Sequence, residues 1–186
     1  LKIQGNIKPG KIQRFIFTNN FFNLSYLVLI MTKTKIAYQG IPGAYSYQAV
    51  EEFNKKFNTN FESVSCNNFR ELFDTINKKT GLGIVPIENS IAGSVVQCYD
   101  LFLEYDVQII GEFNFKIEHC LLSKSEKASK IKKVYSHPQA LQQCSNFLDK
   151  NNFQKVIYPD TAGAAKYISE YPLKEGREVA TIAGES

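Results

Sequence analysis

The chain has 186 residues, 44% of them hydrophobic and 22% charged, with 14 Phe and 10 Tyr. That composition excludes a wholly disordered or fibrous chain and supplies apolar material for one or two modest cores. The formal net charge of +4 is unevenly placed: residues 1–50 hold no Asp or Glu but six basic residues, whereas 51–186 carry 16 basic against 18 acidic ones. The basic excess therefore belongs to the leading segment, and no run of Lys and Arg interleaved with aromatics offers a nucleic-acid surface. Cys66, Cys98, Cys120 and Cys144 form no CxxC pair. Metal-ligand spacing is absent, and the four read as reduced thiols packed as small hydrophobes in a cytosolic-type protein.

The leading segment is set apart by its chemistry. Its apolar run from Phe21 to Met31 is much shorter than the roughly 20 residues needed to cross a bilayer, and no small-residue cleavage site follows it. The preferred reading starts translation at Met31, with 1–30 as upstream frame. An organelle-targeting leader, favoured by the lack of acids, is the alternative. On either reading 1–33 stands outside the fold.

From Lys35 onward, strand, turn and helix alternate. Ile36-Ala37-Tyr38 is a short strand, broken by Gly40, Pro42 and Gly43. Ser46 to Phe57 is a helix with Val50, Phe53 and Phe57 on one face. Phe61 to Ser65 is a strand. Asn67 or Asn68 caps a helix whose Phe69, Leu72, Phe73 and Ile76 fall at i, i+3, i+4 and i+7. Gly81 to Val85 is a strand ending at Pro86. A helix from Gly93 to Glu104 turns Val96, Tyr99 and Leu103 to one side. Val107 to Ile110 is a strand, and Glu112 to Leu121 is another, with Phe113, Phe115, Ile117, His119 and Leu121 on its buried face. Beyond a charged loop, Val134 to Ser136 is a strand and Pro138 opens a helix with Leu141, Cys144 and Leu148 inside. Val156 to Tyr158 is a strand, Asp160 caps a helix through Tyr171, and Glu178 to Ile182 is a last strand.

Such alternation implies an α/β fold with a mostly parallel sheet. Four strand-to-helix turns carry small or polar residues: Gln39 to Ser46, Glu88 to Ser94, Ser136 to Gln139, and Pro159 to Gly163. Ligands of open α/β sheets bind outside the carboxyl ends of strands, and helix N-termini there favour anions. The expectation is a cleft for a small anionic ligand. The glycines form neither GxGxxG nor a P-loop, so nucleotide binding is not indicated.

Four strings resemble prephenate dehydratase: KIAYQGIPGAYSYQAV (Lys35 to Val50), GIVPIENSIAGSV (Gly83 to Val95), EHCLLS (Glu118 to Ser123) and YSHPQALQQC (Tyr135 to Cys144). DTAGAAKYIS, from Asp160, is a weaker fifth. The PIEN and SHPQ strings in this order are the specific ones. The resemblance covers nearly all of the chain from Lys35. It implies conversion of prephenate, or of arogenate, in phenylalanine biosynthesis. It also implies two α/β lobes around a cleft, similar to type II periplasmic binding proteins. No metal, no organic cofactor, no nucleic acid and no membrane partner are expected. A cytoplasmic homo-oligomer is the expectation for the full-length protein.

Asn89 ends the PIEN string. By itself it reads equally as an amide donor to substrate or as a turn residue satisfying its own backbone; the resemblance favours the donor. For Ser136 and Gln143 the resemblance implies substrate contact, against readings as a helix cap and a solvated helix position. These three are the expected catalytic residues. Ser94 and Thr161 are each expected to open a helix and to hold a substrate carboxylate through hydroxyl and backbone N–H; Gly40 joins them as a substrate-binding residue. Glu88 braces the crossing between lobes, His137 supports its turn, and His119 is a core histidine with its hydrogen bonds met. Arg70 and Arg177 are solvated.

The lobes are divided as 34–88 and 89–178, with 179–186 starting a return to the first lobe. The family's Thr-Arg-Phe segment, which carries its central catalytic threonine, and the phenylalanine-binding ACT domain that usually follows are not matched within these 186 residues. None of Arg14, Arg70 and Arg177 obviously replaces what that segment supplies. The chain as given is therefore expected to be inactive as a dehydratase. A small-molecule binding module of the periplasmic type is the competing reading; PIEN together with SHPQ favours the enzyme.

Overall fold

A computed structural model describes residues 2–19, 34–91, 93–172 and 178–184. The chain divides into two units, one of residues 12–116 and the other of residues 1–11 and 117–186.

The unit of residues 12–116 contains residues 12–19 of β1 (Lys2–Asn19, paired with β4 from Gln13 on), then β2 (Lys35–Gln39), α1 (Tyr45–Phe57), β3 (Glu62–Cys66), α2 (Phe69–Thr75), β4 (Leu82–Asn89), the two-residue β5 (Gly93–Ser94), α3 (Val96–Glu104) and the first half of β6 (Gln108–Ser123). Strand order is β3-β2-β4-β1-β6. β2 lies parallel to β3 and β4, and its Ile36, Ala37 and Tyr38 are buried on both faces, as a central parallel strand requires. α2 begins where Asn68 accepts the Glu71 N–H at 2.9 Å while the Glu71 carboxylate accepts the Asn67 N–H at 2.8 Å, a reciprocal cap. A single π-turn, Ile76–Thr80, leads from α2 to Gly81 in the left-handed region, and the chain enters β4.

The leading segment departs from the sequence expectation. Residues 13–19 pair antiparallel with β4, and Phe15, Ile16 and Phe17 are buried. Phe17 packs against Phe53 with tilted rings at 4.2 Å and Phe15 meets Phe115 edge-on at 6.3 Å. At least this part of 1–33 belongs to the fold, because three consecutive apolar side chains are buried where it pairs with β4. Residues 20–33, Met31 among them, lie outside the described residues. β4 also runs on through Pro86 to Asn89 rather than stopping at Pro86. Pro86 faces Phe15 where β1 carries a bulge between Arg14 and Phe15, an irregular point at which a missing N–H is tolerated.

The expected face of the third helix is reversed. It starts at Val96, and Val96, Tyr99 and Leu103 are 64%, 46% and 89% exposed, while Cys98 and Leu101 are buried. The segment has apolar residues on two stripes. Phe73 of α2, packed edge-on against Phe102 at 4.8 Å, selects the stripe that turns inward.

The unit of residues 117–186 holds the second half of β6, β7 (Lys133–Ser136), α4 (Pro138–Gln143), α5 (Ser145–Lys150), β8 (Gln154–Ile157), α6 (Thr161–Glu170) and β9 (Val179–Ala183). Strand order is β6-β9-β7-β8, with β7 parallel to β8 and β9 and β9 antiparallel to β6. Its core joins Leu121, Val134, Leu141, Cys144, Leu148 and Ile182. The expected helix after Pro138 bends at Cys144 into α4 and α5 yet keeps its expected inner face.

Two boundaries differ from expectation. The units divide inside β6, between Lys116 and Ile117, and not near Pro86 to Ser90. The two strands expected on either side of Gly111 are one 16-residue strand, so each unit receives its share of it. Val179 to Ala183 does not begin a return to the first unit; it pairs within its own unit between β6 and β7.

Candidate active site

The predicted residues collect at the carboxyl ends of parallel strands, where strand and following helix leave backbone polar groups unpaired by the sheet. In the unit of 12–116 these ends hold Gly40 and Asn89, with Ser94 opposite Glu88 on β5. In the unit of 117–186 they hold Ser136 and Thr161, with Gln143 at the end of α4.

Asn89 is 8% exposed and its Oδ1 accepts the Ile91 N–H at 3.0 Å. The turn reading and the donor reading are therefore compatible: the turn holds the carbonyl end of the amide, which fixes where the NH₂ end points. Gln143 has the same design. Its Oε1 lies 2.7 Å from Nε2 of His119, which is 5% exposed on β6. His119 is thus satisfied, as expected, by one of the residues expected to contact substrate.

Ser136 is fully buried and donates to the Ile182 carbonyl at 2.7 Å. It does not cap α4. His137 does, its Nδ1 accepting the Gln139 N–H at 3.2 Å. Burial lowers the His137 pKa below 6.5, opposed by the Asp160 charge, so the ring is neutral when it accepts that bond. Thr161 is the first residue of α6, beneath the Asp160 cap, whose Oδ1 accepts the Gly163 N–H at 2.5 Å.

One placement corrects the sequence reading, and a second residue, Gly40, is explained by its turn. Ser94 opens no helix: Val95 precedes α3 without a side-chain cap, and Ser94 is an exposed strand residue. Gly40 has its N–H donated to the Cys66 carbonyl at 2.8 Å and its carbonyl accepting from Ser65 Oγ. With φ of 111° and only 2.9 Å between a would-be Cβ and that of Ala44, glycine is required there by the turn.

A residue that sequence reasoning left aside sits beside Asn89. Arg14 of β1 lies opposite Glu88, with Nη1 3.3 Å from a Glu88 oxygen and Nε 3.5 Å from a Glu112 oxygen. A cavity of about 290 Å³ is lined by Arg14, Glu88, Ser90 and Asn114. Alternation gave no signal for it, since Phe15, Ile16 and Phe17 are all buried and Arg14 stands exposed at the bulge before them. Arg70, by contrast, is held at the surface by Glu104 at 2.7 Å. Arg177 lies outside the described residues.

All four thiols are buried, and burial pushes Cys98 up to about 12, which keeps it protonated at neutral pH. Among the described residues no group of three His, Cys, Asp or Glu side chains is placed to hold a metal, and no helix is long and apolar enough to cross a membrane.

Each unit is an α/β arrangement with polar side chains at the ends of parallel strands, and in each one an amide, Asn89 or Gln143, is anchored through its oxygen. The family model for prephenate dehydratase matches residues 36–186, and the chain belongs to that family. It is 40% identical over 163 residues to arogenate dehydratase 2 of Petunia hybrida, covering 87% of this chain and 40% of that protein. The prephenate dehydratase structure from Staphylococcus aureus Mu50 superposes with a TM-score of 0.64 at 29% identity, covering 81% of this chain and 55% of that one. GqqA, described as a novel type of quorum-quenching acylase, superposes with a TM-score of 0.67 at 28% identity, over 81% and 53%. The chain thus spans about two fifths of the curated relative and just over half of each solved structure.

Proposed function

We propose that the protein carrying this chain dehydrates and decarboxylates prephenate or arogenate, the ring-aromatising step toward phenylalanine. The observation that carries the reading is the placing of Asn89 and Gln143, from the two specific strings of a family match over 36–186, with each amide oxygen tied to protein.

The chemistry fits neutral donors. The ring carboxylate leaves as carbon dioxide, its electron pair enters the ring, and the ring hydroxyl departs with one added proton as water. Aromatisation supplies the driving force, so the enzyme's task is to hold the carboxylates and to donate a hydrogen bond or proton to the departing oxygen. Amide NH₂ groups pre-oriented by their own carbonyls do this without reorganising when charge develops. Ser136 supports the turn that carries His137, and Thr161 with the first N–H groups of α6 supplies an anion-favouring end.

We further read the protein as a cytoplasmic homo-oligomer. The exposed stripe of Val96, Tyr99 and Leu103 supports self-association; the organelle-leader alternative is favoured by the absence of acidic residues in 1–50. The test of the activity is formation of phenylpyruvate from prephenate and of phenylalanine from L-arogenate by the purified protein. A folded protein that binds and converts neither compound would remove the proposal.

A further inference from the structure

We infer that the Arg14 cavity reads the amino-acid end of the substrate and prefers an ammonium to a 2-oxo group, so that the protein favours arogenate over prephenate. This rests on the dehydratase reading and deepens it.

The cavity is lined by one cation, Arg14, and one anion, Glu88, and a second anion, Glu112, contacts the cation from outside the lining. Arg14 stands between Glu88 and Glu112 at 3.3 and 3.5 Å, both longer than the roughly 2.7–2.9 Å of a tight charge-assisted bond. The guanidinium is therefore shared by the two carboxylates and locked to neither. All three side chains are about half exposed, so a ligand can reach them. Ser90 and Asn114 complete the lining with neutral groups that donate or accept.

An α-amino acid end matches this set. Its carboxylate takes the fork of Arg14, and its ammonium takes Glu88 and Glu112, whose combined charge exceeds that of Arg14 by one. A 2-oxo acid end brings the same carboxylate and no cation, leaving the second glutamate facing a further negative charge. The bulge between Arg14 and Phe15 falls where a strand can re-aim a side chain beside a site. Glu88 and Ser90 are the chain neighbours of Asn89, so the cavity lies within one residue of the proposed donor along the chain.

The test measures binding of L-arogenate and of prephenate to the purified protein by calorimetry at low salt, with folding followed by circular dichroism. The expected result is arogenate bound about tenfold more tightly, the scale of one hydrogen bond to a charged group. Glu88→Gln and Glu112→Gln should each shrink that ratio. Arg14→Gln should weaken both compounds. Asn114→Asp, at an exposed position, should widen the ratio and keeps the proposal testable if a glutamate variant fails to fold. Equal affinities in the unaltered protein, or a ratio insensitive to these charges, would overturn the inference and leave the dehydratase reading standing. Failure to bind either compound would overturn both.

Discussion

The two amides are the residues on which the proposed chemistry turns. Asn89→Ala and Gln143→Ala should each lower kcat/KM about tenfold or more, because a hydrogen bond to a charged partner is worth roughly 1.5–3 kcal/mol. His119→Leu should act through Gln143: with its anchor at 2.7 Å removed, the amide can turn over. Steady-state kinetics on the double variant His119→Leu/Gln143→Ala should show no loss beyond that of Gln143→Ala alone; additive losses would separate the two residues. His137 acts on stability. Its depressed folded pKa means that the unfolded chain binds the proton more readily, so its contribution is complete above about 6.5 and is lost as pH falls toward the folded value. His137→Asn should flatten that part of the dependence of Tm on pH between about 7.5 and 5, and should cost less activity than either amide variant.

At the scale of elements, β1 is the strand whose removal tests the fold. It lies between β4 and β6, and Phe15 in it is fully buried. Phe15→Ala should destabilise the protein by about 3–5 kcal/mol, the usual range for a buried Phe, measured by urea denaturation. Deleting residues 1–30 should cost more, since it also strips the ladder from Gln13↔Asn89 to Asn19↔Leu82. A deletion variant as stable as the parent would restore the reading of 1–33 as external. The elements legible from sequence were those with one clear apolar stripe: the alternation from Glu112 to Leu121, and the caps at Asn68 and Asp160. Where two stripes compete, as in α3, periodicity gives the helix but not its inner face, because Phe73 makes that choice from 23 or more residues away in the chain.

For the whole molecule, the proposed self-association would use the helix face of Val96, Tyr99 and Leu103, the last 89% exposed. Leu103→Glu should abolish any concentration-dependent association seen by analytical ultracentrifugation while leaving the thermal melt of the monomer intact. Retained association would place the contact elsewhere. The division of the chain inside β6 also bears on engineering: the two units share one strand, so a cut at Pro86 to Ser90 would run through the interior of the 12–116 unit.

The sequence by itself determined the family, the α/β alternation, and the placing of Gly40, Asn89, Ser136 and Thr161 at strand ends or in the turns after them, because specific strings and turn chemistry are local properties. It also fixed His119 as buried, since strand alternation assigns faces without reference to neighbours. Only the tertiary structure decided what those residues touch: that Gln143 is held by His119 from 24 positions away, that His137 rather than Ser136 caps α4, and that Gly40 spends its polar groups on β3. It alone placed Arg14 against Glu88 and Glu112. Pairing between strands far apart in sequence is set by which side chains fill a common core, and a single strand such as Gln13 to Asn19 carries too little pattern to announce its partners.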